Sequence, residues 1–260
     1  MNRTFATTAL IAALSMPIAA QAAPIADAYV GGNEHGYGDV IGDSRFQVTS
    51  FEMTRSGSNL HVVINTNFAG YGDDALFAAY TRTSASARRG IGYGDVFLSN
   101  DWTPFGAAPY SLDDHAHGTK WTYGFALDNR WSATGGAGRL YALNGATNDS
   151  NTLLSNDFLS GATFRDGQVI AVDQAARSVA GLGAGTWTVD SANQRLLFDF
   201  DIAGTSLLHD DTLALHWGMT CGNDVIEGLA TVPAPGALGL LGLGLLAAPF
   251  LRRRAAATAN

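Results

Sequence analysis

The residues best suited to chemistry lie in one long loop, Gly94 to Lys120. Asp95, Asp101, Asp113 and Asp114 offer the hard carboxylate oxygens that Ca2+ prefers. An ion there would neutralise their mutual repulsion and order the loop. Trp102, Phe105 and Tyr110 lie in the same stretch, and Trp121 follows it. Flat aromatic faces stack on the apolar faces of sugar rings while Asp and Asn bond hydroxyls, so these four predict a polysaccharide platform. The Asp spacing is not that of an EF-hand, and Gly-Asp pairs also make ordinary turns. Taken singly, each of these aromatics reads first as a plug for the end of the sandwich. Loops this long in compact domains are often functional. His115 and His117, two apart, would share one side of a strand and suit a transition metal, but no third ligand has supporting spacing.

Catalytic signatures are sparse. The carboxylate pairs Asp73-Asp74, Asp113-Asp114 and Asp210-Asp211 are adjacent in sequence. Glycosidases instead need two carboxylates opposed in space. No Gly-x-Ser-x-Gly elbow is present, and the glycines near Gly181–Gly185 precede an expected strand rather than a helix. A binding or structural role is therefore favoured over an enzyme, with a glycan-cleaving enzyme as the alternative. Cys221 stands alone, which excludes a disulfide within the chain. It reads as a buried thiol or as a link between two chains. Asn223, Asp224 and Glu227, just after it, are further oxygen donors.

The elements that must position these residues are strands. Of 260 residues, 31 are Gly, and the acidic residues are 20 Asp against 3 Glu while the basic ones are 14 Arg against 1 Lys. Scarcity of Glu and Lys argues against a helical bundle. The net charge of −8 argues against general nucleic-acid binding. Phe46–Thr54 and Leu60–Ile64 flank the Ser56-Gly57-Ser58-Asn59 turn as a hairpin. Trp121, Tyr123, Phe125 and Leu127 alternate with smaller or polar residues, as a half-buried strand does. Thr186–Asp190 and Arg195–Ile202 form a second hairpin, with Leu196, Phe198, Phe200 and Ile202 on one face. Asp95–Ser99, Arg139–Leu143, Gln168–Asp173 and Thr212–Met219 add strands, and Asp74–Tyr80 is the lone helical candidate. The pattern predicts an all-β domain over residues 23–231, an antiparallel β-sandwich of jelly-roll or lectin-like type.

Both ends carry targeting patterns. Residues 1–22 have Arg3, an apolar stretch from Ala9 to Met16, and Ala20-Gln21-Ala22, which predicts a signal peptide cleaved after Ala22. Residues 232–260 fall into three parts: Val232-Pro233-Ala234-Pro235, an uncharged span from Gly236 to Leu251, and Arg252-Arg253-Arg254. The span has 16 residues, or 20 if counted from Val232. About 20 residues suffice for a transmembrane helix, and the arginines would hold its end on the cytoplasmic side. Removing Arg3, Arg252, Arg253 and Arg254 leaves 11 basic against 23 acidic residues, a net −12. Such an anionic body avoids anionic lipid and tolerates divalent cations.

This three-part tail resembles the PEP-CTERM sorting signal of Gram-negative bacteria, with Ala234 where that family's motif has Glu. Cys221-Gly222-Asn223-Asp224, upstream of the tail, is similar to endings found in some of its members. The resemblance covers about the last 30 residues. It implies export, brief anchoring in the inner membrane, and processing by an exosortase-like membrane protease after the export machinery and signal peptidase have acted. It also implies release to the cell surface or the extracellular matrix of biofilm-forming, exopolysaccharide-producing cells.

Overall fold

Alternating burial builds the sheet strand by strand. In β2 (Val48–Ser56) and β3 (Asn59–Thr66), Val48, Phe51, Met53, Leu60, Val62 and Ile64 turn inward and are fully buried. The turn between them needs Gly57, whose φ is +63°. In β10 (Arg195–Asp201), Leu196, Phe198 and Phe200 face the core while Asp199 and Asp201 face outward, as the sequence predicts. Burying each such side chain is worth about 1.5–3 kcal/mol.

The computed structural model describes residues 22–32, 38–72, 90–159, 161 and 163–232. All of them fall in one compact unit. The predicted helix over Asp74–Tyr80 lies outside the described residues, as do Ala20, Pro233, Ala234, Pro235, the span 236–251 and Arg252, Arg253 and Arg254. Among the described residues no helix is long and apolar enough to cross a membrane.

The remaining strands are β1 (Ile25–Ala26), β4 (Val96–Ser99), β5 (Tyr123–Leu127), β6 (Gly135–Leu143), β7 (Thr152–Leu154), β8 (Val169–Val172), β9 (Val179–Asp190), β11 (Thr212–Gly218) and β12 (Val225–Thr231). The single described α-helix, α1 (Ser155–Phe158), has four residues. The all-β antiparallel expectation holds. Ten strands, however, join in one continuous sheet, ordered β1-β2-β3-β10-β9-β6-β5-β4-β11-β12, and β7 pairs with β8 separately. The end strand β12 packs back against β1 and β2, so the sheet nearly closes on itself.

That core runs from Phe51 and Ile64 through Tyr93, Phe125, Trp187 and Phe198 to Trp217 and Met219. A second apolar cluster joins Phe97, Trp121, Ala126 and Ala214 to Val169 and Val172 of the β7–β8 hairpin. Strands β4 and β11 are therefore covered on both faces. The Gly-rich run Gly181–Gly185 lies inside β9 rather than before a strand. Gly185 pairs with Gly138, and a Cβ on either would lie within 3 Å of the Phe125 ring. Glycine there lets the strands seat that ring.

Three tail and turn residues are fixed by the sheet. Val232 is fully buried and its N–H donates to the Asp211 carbonyl at 2.6 Å. It belongs to the folded body. Ala22 is also buried. Cys221 is fully buried in the core and unpaired, so the native fold withholds it from a disulfide between chains. Burial pushes its thiol up to about 12.

Candidate functional site

The loop from Asn100 to Lys120 leaves β4 and returns as β5, and its Trp102 packs against the apolar cluster that holds Ala214 of β11 and bonds Glu227 of β12. Backbone bonds dock it on the segment after β1. Val30 N–H donates to the Pro109 carbonyl at 2.9 Å, and the Gln168 amide donates to the carbonyls of Gly32 and Asp113 at 3.0 and 3.2 Å. Asp113, 2 % exposed, accepts from the Phe105 N–H at 3.0 Å and closes the loop on itself. A Cβ at Gly118 would fall 1.9 Å from Asp113 Oδ1, so only glycine lets the carboxylate sit there.

Beneath the loop lies a buried polar network that spacing alone does not reveal. His216 on β11 and Glu227 on β12 are cross-strand partners. His216 Nε2 meets the Val169 carbonyl at 2.6 Å and Nδ1 meets Glu227 Oε1 at 3.0 Å. A carbonyl only accepts, so Nε2 is the donor to Val169. Trp102 Nε1 donates to Glu227 Oε2 at 3.1 Å, and the Tyr29 hydroxyl donates to the same carboxylate. Burial, then the charges of Glu227 and Asp113, hold the Tyr29 hydroxyl well above its ordinary value. Burial, then the Glu227 charge, pushes Asp113 up to about 7.

Above this network three of the four predicted aromatics share the loop. Tyr110 takes a left-handed backbone, φ 61°, which a bulky residue adopts only at a cost. Its ring stacks near Tyr29, centroids 6.1 Å apart, and meets Trp102 edge-on at 5.5 Å. Phe105 is 45 % exposed and stacks on His117 at 4.8 Å. Leu112, which the sequence reading passed over, is 66 % exposed. Trp121 does not join them. It is 2 % exposed and packs against His216, 5.6 Å between ring centroids, so it is core. A cleft of about 260 Å3 opens beside Leu112, bordered by Asp114, His115 and Asp166. The surface therefore offers aromatic and aliphatic faces beside carboxylates and an imidazole.

The four predicted calcium ligands are dispersed. Asp95 is fully buried, and its oxygens accept from Leu127 N–H at 3.0 Å, Val172 N–H at 2.8 Å and the Arg130 guanidinium at 3.1 Å. It ties β4, β5 and β8 together. Asp101 is exposed, Asp113 closes the loop, and Asp114 Oδ1 caps the turn by accepting from the N–H groups of Ala116 and His117 at 2.9 Å. No three of them bring ligand atoms within 4.8 Å of one another; among the described residues Asp27, Asp39 and Asp224 do. His115 and His117 sit in a turn with separate partners, the Gly167 carbonyl and Asp114. Of the donors after Cys221, Glu227 belongs to the network under the loop, and the Asn223 amide donates to the carbonyls of Ile41 and Thr163.

The chain matches no known protein family, no curated protein and no solved structure.

Proposed function

We propose that this is an exported protein of the cell surface or extracellular matrix whose β domain binds polysaccharide without cleaving it. In this reading the signal peptide ends at Ala22, and an exosortase-type signal at residues 232–260 anchors the chain in the inner membrane until a membrane protease processes it. The partners are the export machinery, signal peptidase, the exosortase-like protease and a polysaccharide. A lectin-like use of the domain rests on its loop rather than on a known likeness.

The observation that carries the binding reading is the Trp102–Phe105–Tyr110 surface. Trp102 is held from beneath by Glu227 and Tyr110 by an unusual backbone, while Phe105 and Leu112 stand in solvent next to a polar cleft. Rigid aromatics lose little entropy on binding, which suits stacking on sugar rings. Asp113 and Glu227, 2 % and 6 % exposed, are held in the buried network and do not supply the opposed carboxylates that the glycan-cleaving alternative needs; Asp114 and Asp166 at the cleft are the pair it would have to use.

A glycan array probed with the protein tests the reading, with release of reducing ends measured in parallel. Retention of at least one polysaccharide without chain cleavage supports it. Cleavage would establish the enzyme instead, and no retention would leave a purely structural surface protein.

A further inference from the structure

Three carboxylates distant in sequence meet where the sheet closes. Asp27 follows β1, Asp39 lies on the segment leading to β2, and Asp224 immediately precedes β12. One ligand oxygen from each lies within 4.8 Å of the other two. Oxygens sharing one Ca2+ at about 2.3–2.6 Å must lie within about 4.6–5.2 Å of each other, so the spacing fits.

Two of the three carboxylates are also incompletely satisfied. Asp224 is 0 % exposed; its Oδ2 accepts from Val48 N–H at 2.6 Å, but its Oδ1 is buried and no donor reaches it. Asp27 repeats the pattern, with Oδ1 accepting from Tyr29 N–H at 3.1 Å and Oδ2 buried and unpartnered. A buried carboxylate oxygen without a partner costs the desolvation of that group, and native folds fill such positions.

The nearby cation does not fill them. Arg165 is fully buried beside the cluster, but its guanidinium donates to the carbonyls of Gly31 at 2.7 Å, Gly38 at 2.9 Å and Gly222 at 2.9 Å. Three carboxylates and one guanidinium leave a local charge of −2, the complement of a divalent ion. The donors are all carboxylate oxygens, without His or Cys, which selects a hard cation over zinc or copper.

We propose that Asp27, Asp39 and Asp224 bind Ca2+ and that the ion staples the seam of the sheet. Asp27 lies at one end of the strand order and Asp224 at the other, so one ion ties the β1–β2 edge to β12. The staple is independent of the 100–120 loop and of what the loop binds.

The test uses the full chain, stripped with EDTA and titrated with Ca2+ by calorimetry while thermal unfolding is followed. One Ca2+ per chain and a midpoint that rises with Ca2+ are expected, because a ligand of the native state stabilises it. Asp39→Asn, at a half-buried side chain, keeps the fold and weakens Ca2+ binding about tenfold or more, as loss of one charged ligand does. Asp27→Asn does the same. No binding heat and no midpoint shift at millimolar Ca2+ overturns the proposal. So does binding that survives both substitutions but is lost in Asp101→Asn, which would place the ion in the loop.

Discussion

Trp102 donates its indole N–H to Glu227 at 3.1 Å, across 125 residues of chain, and thereby fastens the exposed loop to the buried face of β12. The carboxylate it touches is already engaged by His216 and Tyr29. The loop's rigidity is thus set by strands rather than by its own turns. Glu227→Gln keeps the shape but removes the charge that both the indole and the imidazole address. The variant is expected to bind polysaccharide several-fold more weakly, with faster hydrogen exchange over residues 100–120 as the check.

Trp121 and Trp102 are expected to part company on mutation. Trp121→Ala empties a core position and costs about 3–5 kcal/mol of stability. Trp102→Phe removes the indole N–H at a half-buried position and costs about 0.5–1.5 kcal/mol, the net worth of a hydrogen bond. Urea unfolding of the two variants separates them; equal losses would mean that the loop does not present Trp102 to ligand.

The Asp95–Arg130 pair lies where β4, β5 and β8 meet. Asp95→Ala takes the carboxylate from the Arg130 guanidinium, which keeps only the Tyr93 carbonyl, and leaves two strand N–H groups without an acceptor. A loss of about 3–5 kcal/mol is expected by urea unfolding, and Ca2+ does not restore it.

Asp113 gives stability a defined pH slope. Its carboxyl is raised from 3.8 to about 7 in the folded chain by burial and by Glu227, with Asp114 adding repulsion and His216 opposing it. In the unfolded chain it titrates near ~3.9. Between those values the native state holds the extra proton, so its contribution is complete below about pH 4 and is lost as pH rises towards about 7. Asp113→Asn is expected to flatten this part of the curve in unfolding measured across that range. An unchanged slope would remove Asp113 as its source.

The alternating strands were legible because one face meets the core: Leu196, Phe198 and Phe200 in β10 show it directly. Strand β12 was not, since Val225, Ile226, Glu227 and Gly228 are all buried and no alternation survives. Near-closure of the sheet depends on β10 pairing with β3 and β9, a register between distant segments that local pattern does not encode. The aromatic loop was visible as a cluster of types. Trp121 was misplaced in it because side-chain type does not tell a platform from a plug. The acidic trio joins positions 27, 39 and 224, so no spacing rule reaches it; the Asn223-Asp224 turn was its single local trace.

For the targeting ends, the proposed export and processing predict that mass spectrometry of chain recovered outside the cell finds it beginning at Ala23 and ending near Pro235. An intact Ala255–Asn260 end on the exported chain would rule out processing. Cys221 in that product is expected to react with a thiol reagent only after unfolding, because the folded core buries it.

The binding surface is tested most directly by measuring retention on the polysaccharide identified by the array for the native protein and for Phe105→Ala combined with Trp102→Ala. The account predicts that retention falls at least tenfold in the double variant while the far-ultraviolet circular dichroism spectrum stays native. Undiminished retention by a folded double variant would contradict it.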